Sequence, residues 1–171
     1  MVEWLVVIVV AVLAAVLIKT FVVQAFKIPS ASMEPTLMVG DRVVVNKLSY
    51  RTHDVNRGDV IVFKRPPLAP SGPDEPGQLI KRVIGLPGDT VMAKDGEVYV
   101  NGKRLIEPYL PEGTETLDMD NPIDVPEGQL WVMGDNRMHS GDSRYFGTID
   151  ESTIIGRAFF KIWPPGRLGP L

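Results

Sequence analysis

The chain begins with a continuous run of apolar residues and then changes to short alternating segments. Fifteen consecutive residues from Trp4 to Ile18 are apolar, and after Lys19 and Thr20 the apolar character continues to Val23. A helix that spans a bilayer needs about 20 such residues. The pattern therefore predicts one N-terminal transmembrane helix, with the long side chain of Lys19 reaching the lipid headgroups.

A cleaved signal peptide and a buried core helix both fit this apolar run less well. A signal peptide would have a basic start and a small-x-small site soon after the run, whereas this chain starts Met-Val-Glu and has no such site there. A buried core helix would rarely lack polar residues for so long. We therefore expect a retained membrane anchor over residues 1–25. Its flanking charges do not orient it, because Glu3 offsets the terminal amine.

From Gly40 onward the pattern is that of β-strands. Gly-Asp pairs at 40–41, 58–59 and 88–89 each precede a valine-rich run, as turns that enter strands do. Asp95-Gly96 and Asn101-Gly102 are hairpin signals. Strands are predicted at Val43–Val45, Val60–Phe63, Leu79–Ile84, Val91–Met92, Val98–Val100, Gln129–Met133 and Ile155–Trp163.

The segments between these strands predict loops and few helices. Proline-rich stretches at 65–78 and 107–127 indicate exposed loops. The only helix expected beyond the anchor is a short turn at Asp150–Thr153, with Asp150 as its N-cap. Pro164-Pro165-Gly166 predicts the end of the fold, with loose residues after it.

These elements predict a mainly β fold. We expect an antiparallel β-sheet core built from residues 26–93 and 128–165. A small β lobe, residues 94–127, is inserted into it, and one N-terminal transmembrane helix precedes it.

Charge and composition exclude several classes of function. The formal net charge of −3 provides no basic face for nucleic acid. The chain has no cysteine, which excludes disulfides, thiolate catalysis and cysteine-ligated metals. No histidine or carboxylate cluster has the spacing of metal ligands. We therefore expect no metal, no cofactor and no nucleic-acid partner.

Two closely spaced serines follow the apolar segment. Ser30 and Ser32 lie between Pro29 and Pro35. Proline fixes φ near about −65° and pushes the preceding residue towards extended geometry. A rigid extended segment at the end of a membrane helix is suited to a site at fixed depth near the bilayer. Ser-x-Ser in a loop is usually only a turn, so a catalytic role needs a base from elsewhere in the chain.

One candidate base is a histidine. His139 lies in a dense polar run, residues 134–144, that directly follows a predicted strand. A triad of Ser32, His139 and an aspartate is therefore an open alternative. His53, beside Asp54 in a polar loop, is typical of solvated surface.

The other candidate base is Lys81. Strand alternation places it on the same face as the apolar Leu79 and Val83. A lysine with its usual pKa of about 10.4 is charged at neutral pH and cannot accept a proton. Burial lowers the pKa of an amine, and a neutral amine can then take the proton of a serine hydroxyl. Alternatively, Lys81 could simply extend its amine to the surface.

Five segments of the chain carry a joint pattern: Ile28–Leu37, Gly40–Val45, Gly58–Phe63, Lys81–Asp89 and Gly134–Gly147. Taken together and in this order, they resemble bacterial type I signal peptidase. This family consists of serine–lysine proteases that remove signal peptides from exported preproteins. The resemblance implies a β-rich catalytic core with a smaller β lobe inserted between the lysine and the aspartate-arginine segments.

The resemblance also implies roles for individual residues. Ser32 would be the nucleophile and Lys81 the general base. The Ser30 hydroxyl and the Ser32 backbone N–H would form the oxyanion hole. Ser140 would orient the lysine amine.

Further residues would support or line the site. Asp142 with Arg144, and Asp135 with Arg82, would hold the loop and the strand around the dyad. The substrate would add as an extended strand between Phe26–Ser32 and Gln78–Lys81. The residues expected to bind it are Phe26, Ile28, Pro29, Ala31, Met33, Leu37, Leu79 and Ile80.

One position departs from the family pattern. The family's last motif commonly reads Asp-Asn after its first arginine, whereas this chain has Met138-His139. Neither position carries an assigned catalytic role, so we expect altered loop contacts and retained activity.

The resemblance implies a membrane-bound endopeptidase whose partners are signal peptides and the lipid bilayer. Its N-terminus would be cytoplasmic and its catalytic domain outside the cell membrane. Two alternatives remain open. One is a serine–lysine protease that cleaves itself or a regulator, as in stress-response repressors, although the membrane segment argues against it. The other is a membrane-tethered β module without activity.

Overall fold

The computed structural model describes residues 4, 6–12, 22–69 and 77–171, and its paired strands are all antiparallel. The predicted mainly β, antiparallel fold is therefore confirmed. In chain order the strands are β1 (Val23–Lys27), β2 (Arg42–Asn46), β3 (Val60–Lys64), β4 (Gln78–Gly85), β5 (Thr90–Lys94), β6 (Glu97–Val100), β7 (Lys103–Arg104), β8 (Ile123–Asp124), β9 (Gln129–Met133), β10 (Ile149–Asp150), β11 (Ile154–Trp163) and β12 (Gly169–Pro170). The short helices are α1 (Ser49–Thr52) and α2 (Ser143–Phe146), and 3-10 turns occur at Ala31–Met33, Glu151–Thr153 and Pro165–Arg167.

The strands form two sheets. The larger has eight strands in the order β1-β2-β11-β3-β4-β9-β10, with β12 paired to β11. The smaller has four strands in the order β7-β6-β5-β8. The smaller sheet thus begins at β5, before the predicted lobe boundary at Lys94, and ends within the predicted lobe.

Alternation along the strands explains which side chains are buried. In β2, Val43 and Val45 are fully buried while Arg42 is exposed. Strands β3 and β4 lie in the middle of the large sheet and are buried along most of their length. In β3 this burial matches the continuous apolar run Val60–Phe63, whereas β4 also buries the charged side chains of Lys81 and Arg82. One cluster of buried side chains joins the two sheets through Ile84, Val91 and Trp131.

Most of the predicted membrane anchor lies outside the described residues. Residues 6–12 are helical and exposed. Among the residues that the structure covers, no helix is both long and apolar enough to cross a membrane. The end of the predicted anchor needs a correction, because residues 23–25 belong to β1 and pair with β2. An antiparallel partner for these residues is invisible to a hydropathy pattern.

Two short helices were not predicted, and one turn was. Helices α1 and α2 are each a single turn, too short to show a helical periodicity. The 3-10 turn at Glu151–Thr153 follows the prediction, with the Asp150 carboxylate accepting from the Ser152 N–H at 2.7 Å. Of the predicted loop at 65–78, residues 70–76 lie outside the described residues.

The prediction of loose residues after Trp163 is wrong. Strand β12 pairs with β11, and the Leu171 side chain packs against the core cluster that contains Ile28. The guanidinium of Arg167 pairs with the buried Asp41 carboxylate at 3.1 Å. The two prolines redirect the chain back onto the sheet, and long-range contacts then order it.

Asp89 closes the turn between β4 and β5. Its carboxylate accepts hydrogen bonds from the Leu86 N–H at 2.6 Å and the Asn101 side chain at 2.8 Å, and it pairs with Arg57 at 3.0 Å. Burial raises the pKa of Asp89, but these hydrogen bonds and the charge of Arg57 outweigh it and hold the pKa below its usual range. The contribution of the Asp89 carboxylate to the free energy of unfolding is therefore fully present above the ordinary carboxyl pKa of about 3.9. It is lost as the pH falls through the lowered folded-state pKa of Asp89.

Replacing Asp89 with asparagine should lower the free energy of unfolding by about 1–2 kcal/mol at pH 7, because the ion pair and one acceptor are lost. The deficit should shrink as the pH falls below the ordinary carboxyl pKa of about 3.9 and through the lowered folded-state pKa of Asp89, because the wild-type carboxylate is then protonated. Urea unfolding at several pH values measures this. Asp120→Asn, at an exposed carboxylate, is the matched control. A deficit that stays constant with pH would contradict the assignment.

Candidate active site

The segment that carries Ser32 is held against the core by its apolar neighbours. Ser32 lies in the 3-10 turn Ala31–Met33, with Ser30 before it in extended geometry. Ile28, Met33 and Leu37 are buried in one core cluster on either side of the turn. These side chains anchor the turn, so Ser32 is itself 8% exposed and has a defined position.

Lys81 approaches Ser32 from β4. Its Nζ atom lies 2.5 Å from the Ser32 Oγ atom and donates to it, and the lysine is only 3% exposed. β4 pairs with β3 on one side and β9 on the other, so the backbone that carries Lys81 is fixed on both sides. The two residues predicted as nucleophile and base are thus within hydrogen-bond distance. The Ser30 Oγ atom lies 3.3 Å from the Ser32 Oγ atom.

The polar run after β9 packs directly beside the turn. Gly134 lies so close to Ser140 and to the Ser32 carbonyl oxygen that a Cβ atom at this position would overlap both. Ser140 is buried, and its hydroxyl has no hydrogen-bond partner among the described residues. Ser140 thus lies beside the turn, and its predicted role in orienting the Lys81 amine stays a prediction.

Both predicted ion pairs are present. Arg82 binds Asp135 through two hydrogen bonds of 2.9 and 2.6 Å, and Arg144 binds Asp142 through two of 2.8 Å. Asp142 also accepts from the Gly134 N–H at 2.9 Å. All four charged side chains are nearly inaccessible to solvent. Breaking such buried pairs is costly because an uncompensated charge remains, so they rigidify the loop and the strand.

His139 does not occupy the position of a base. It is exposed, and its Nδ1 atom lies 3.3 Å from the Oδ1 atom of Asn136. The hydrogen bond to the Ser32 hydroxyl comes instead from Lys81. In the part of the chain that the structure describes, no group of three histidine, aspartate or glutamate side chains could hold a metal ion.

An apolar groove of about 490 Å³ runs beside the serine segment. Five predicted substrate-binding residues line it: Phe26, Ile28, Pro29, Leu79 and Ile80. The structure adds Lys27, Val39, Val62 and Gln78 to this lining. Met33 and Leu37 have no exposed surface and lie in the core, while Ala31 is half-buried in the 3-10 turn.

One buried cluster near the site was missed. The Arg137 guanidinium is completely buried and binds the Glu107 carboxylate with both Nη atoms, at 2.7 and 2.5 Å. Tyr109 donates to the same carboxylate, and its ring lies 3.8 Å below the guanidinium of Arg82. Burial, followed by the charge of Glu107, raises the pKa of Tyr109, so the phenol remains a neutral donor.

This cluster connects the loop at 107–109, within the predicted lobe, to the polar run after β9 and to β4. The Nε atom of Arg137 donates to the Gly134 carbonyl oxygen at 3.0 Å, and Arg82 directly follows Lys81 in β4. Glu107 lies in a proline-rich stretch without any pattern. The sole sequence signal was Arg137 inside the polar run, which did not identify a partner.

Comparison with known proteins supports the resemblance along most of the chain. Residues 1–163 match the protein family described as signal peptidase, peptidase S26. A probable signal peptidase I-2 from Synechocystis sp. is 46% identical over 163 residues, which cover 94% of this chain and 72% of that relative. A signal peptidase I from Bacillus licheniformis is 38% identical over 171 residues, covering 95% and 88%. The chain in a crystal structure of a signal peptidase I from Enterococcus faecalis is 34% identical to this one. The superposition covers 61% of this chain and 97% of that chain, with a TM-score of 0.49.

Proposed function

The chain belongs to the signal peptidase family, peptidase S26, and we propose that it is a membrane-bound serine endopeptidase that removes signal peptides from exported preproteins through Ser32 and Lys81. The observation that carries this proposal is the 2.5 Å contact between Lys81 Nζ and Ser32 Oγ, with both side chains buried. A nucleophile and a base within hydrogen-bond distance are the minimum that covalent catalysis requires.

Burial provides the reason why a lysine can act as the base. An ammonium group loses hydration when it is enclosed, which favours its neutral form. The Ser32 hydroxyl can then donate to the lone pair of the Lys81 amine, reversing the direction of the hydrogen bond. As Ser32 attacks the scissile carbonyl carbon, its proton passes to Lys81.

The remaining steps use the same few groups. The oxyanion of the tetrahedral intermediate accepts from the Ser32 N–H and the Ser30 hydroxyl. The C–N bond breaks, Lys81 returns the proton to the leaving amine, and an ester between the signal peptide and Ser32 remains. Lys81 then takes a proton from water as the water oxygen attacks the ester carbon. The C–O bond to Ser32 breaks, and Lys81 returns that proton to the Ser32 oxygen, which restores the enzyme. In this proposal the buried Ser140 hydroxyl, which has no partner among the described residues, is the group that would accept from the Lys81 amine and hold it in place.

The groove beside the serine segment is suited to an extended peptide. Its apolar lining and open shape allow a substrate strand to lie between the segment 26–32 and the start of β4. We propose that cleavage follows residues of alanine size, as the resemblance to this family implies.

We also propose the predicted topology. The apolar segment that precedes β1 anchors the protein in the cell membrane with a cytoplasmic N-terminus, and the β-rich core with its inserted lobe lies on the outer side. The apolar run from Trp4 to Ile18 supports an anchor. An anchored enzyme would meet the cleavage site of its substrate at the membrane surface. No cofactor takes part in the proposed reaction.

The full chain, purified in detergent or reconstituted in liposomes, should cleave a preprotein once, directly after a small residue. Mass spectrometry of both products identifies the bond. The matched control is the same preprotein with a tryptophan in place of the residue before the cleavage site, which should not be cut. Failure of the folded protein to cut several different preproteins would overturn the proposed function, and so would equal cleavage of the tryptophan substrate.

A further inference from the structure

Asn136 connects the polar run after β9 to the turn that carries the nucleophile. Its backbone N–H donates to the Ser32 carbonyl oxygen at 3.1 Å. Its side-chain Nδ2 atom donates to the Ala31 carbonyl oxygen, also at 3.1 Å. One residue from a distant part of the sequence therefore binds the two consecutive peptide groups on either side of the Ser32 Cα atom.

These two carbonyl groups determine where the reactive atoms of Ser32 point. The Ala31 carbonyl and the Ser32 N–H belong to one planar trans peptide group, so they point in opposite directions. A donor that fixes the Ala31 carbonyl therefore also fixes the direction of the Ser32 N–H. That N–H is the proposed backbone donor to the oxyanion, and such donors are effective only when they are correctly oriented beforehand.

The second hydrogen bond fixes the side chain. With the peptide planes before and after Ser32 both held, the direction of its Cα–Cβ bond is set, and the hydroxyl is directed at Lys81. The Ala31 carbonyl also accepts from the Glu34 N–H at 3.0 Å. Glu34 directly follows the turn and would move with it, whereas Asn136 belongs to another segment. Asn136 therefore holds the turn in place relative to the rest of the site.

His139 keeps the amide of Asn136 in the required orientation. Because Nδ2 donates to Ala31, the Oδ1 atom faces the Nδ1 atom of His139 at 3.3 Å. An amide oxygen only accepts, so His139 must carry a proton on Nδ1 to bind it. A flipped amide would place its oxygen against the Ala31 carbonyl and lose that hydrogen bond, and while Nδ1 of His139 carries its proton it would lose the second as well. His139 is further held by its own N–H, which donates to the Asn136 carbonyl at 3.0 Å.

We propose that Asn136 is a positioning residue that aligns the Ser32 N–H and hydroxyl, and that His139 acts on the reaction only through Asn136. As far as catalysis is concerned, this inference rests on the proposed peptidase function. It gives His139 a role that needs no contact with the substrate or with Ser32.

Asn136→Ala should reduce kcat for preprotein cleavage about 10- to 100-fold, with KM changed less than about 2-fold, because the groove is intact while the oxyanion donor is misaligned. Asn136→Asp should be at least as impaired, because a carboxylate oxygen would face the Ala31 carbonyl. Asn56→Ala is the matched control, since Asn56 is exposed and its side chain binds only the Asp54 carbonyl among the contacts described. An unchanged kcat in Asn136→Ala would overturn the proposal.

His139→Ala should reduce kcat about 2- to 5-fold, the value of one exposed hydrogen bond. In the Asn136→Ala background the same change should have no further effect, because the two residues act as one unit. His139→Asn should restore most of the activity, since its amide N–H can donate to the same oxygen. His53→Ala, at the other exposed histidine, is the control. Losses that multiply in the double variant would refute the role of His139.

Amide hydrogen exchange provides a readout that does not depend on activity. Exchange in the peptide that covers residues 31–37 should accelerate in Asn136→Ala, and it should not change in Asn56→Ala. If the wild type cleaves no preprotein but residues 31–37 exchange faster in Asn136→Ala, the positioning role stands and only the proposed function is overturned. Cleavage by the wild type, with neither kcat nor exchange altered in Asn136→Ala, would overturn the positioning role alone.

Discussion

Replacing Ser32 with alanine should reduce kcat for preprotein cleavage at least about 10,000-fold, and replacing Lys81 with alanine should do the same. In the proposed mechanism the first change removes the atom that attacks, and the second removes the group that accepts its proton, which lies 2.5 Å away. The double variant should be no worse than either single one, since nucleophile and base act as a unit. Single-turnover cleavage assays with the full chain measure these rates.

Exposed residues of the same types serve as controls. Ser152→Ala and Lys64→Ala should cleave at the wild-type rate, because both side chains are exposed and neither lines the apolar groove. His139→Ala distinguishes the dyad from a histidine triad and should keep a large part of the activity. Cleavage at the wild-type rate by either dyad variant would contradict the proposed mechanism. A loss of cleavage activity in His139→Ala as severe as in Lys81→Ala would favour the histidine triad.

Gly134→Ala should reduce kcat about 100-fold or more while the protein remains folded. A Cβ atom there would overlap the Ser140 side chain and the Ser32 carbonyl oxygen. The backbone of Gly134 cannot retreat, because its N–H donates to Asp142 at 2.9 Å and its carbonyl accepts from Arg137 at 3.0 Å. The strain must therefore move Ser32 or Ser140, and small displacements of reacting groups are expensive.

The backbone of Gly134 does not have a positive φ, so this effect isolates steric overlap from backbone strain. Gly166→Ala is the matched control, because a Cβ atom at Gly166 would meet no neighbouring atom within 4 Å. Circular dichroism and thermal unfolding monitor folding of both variants alongside the cleavage rate. A kcat within about 2-fold of wild type in Gly134→Ala would show that the contact around Ser32 is looser than the structure indicates.

Strand positions could be predicted because their signals are local. Alternation in β2 and β6, and the continuous apolar run of β3, indicate burial directly. The Gly-Asp turns were equally readable: Asp89, for example, accepts from the N–H of Leu86, only three positions before it. β1 and the pairing of the C-terminal residues were not predicted, because each depends on a partner strand far away in the sequence.

In the candidate site, too, some residues could be identified from the sequence, whereas the contacts between distant residues could not. Ser32 and Lys81 were identifiable from a resemblance, and the apolar face of β4 gave an independent reason for a buried amine. The Glu107–Arg137 pair and the contacts of Asn136 with the turn were not identifiable. Glu107 and Arg137 are 30 positions apart, and Asn136 is 105 positions from Ala31. No local pattern encodes which distant residues meet.

The sequence by itself determined the antiparallel β class, the apolar N-terminal segment and the two residues proposed for the chemistry. Hydrophobic periodicity, turn residues and the order of motifs are properties of the linear sequence, so they can be recognised without knowledge of the fold. Only the tertiary structure decided that the Lys81 amine reaches the Ser32 hydroxyl. It also decided that Ser140 and the Ser32 carbonyl oxygen leave no room for a side chain at position 134. It likewise decided that one asparagine holds both peptide groups around the nucleophile. Distances of a few ångströms between remote segments follow from how the sheets pack and pair, and that packing is a property of the whole chain.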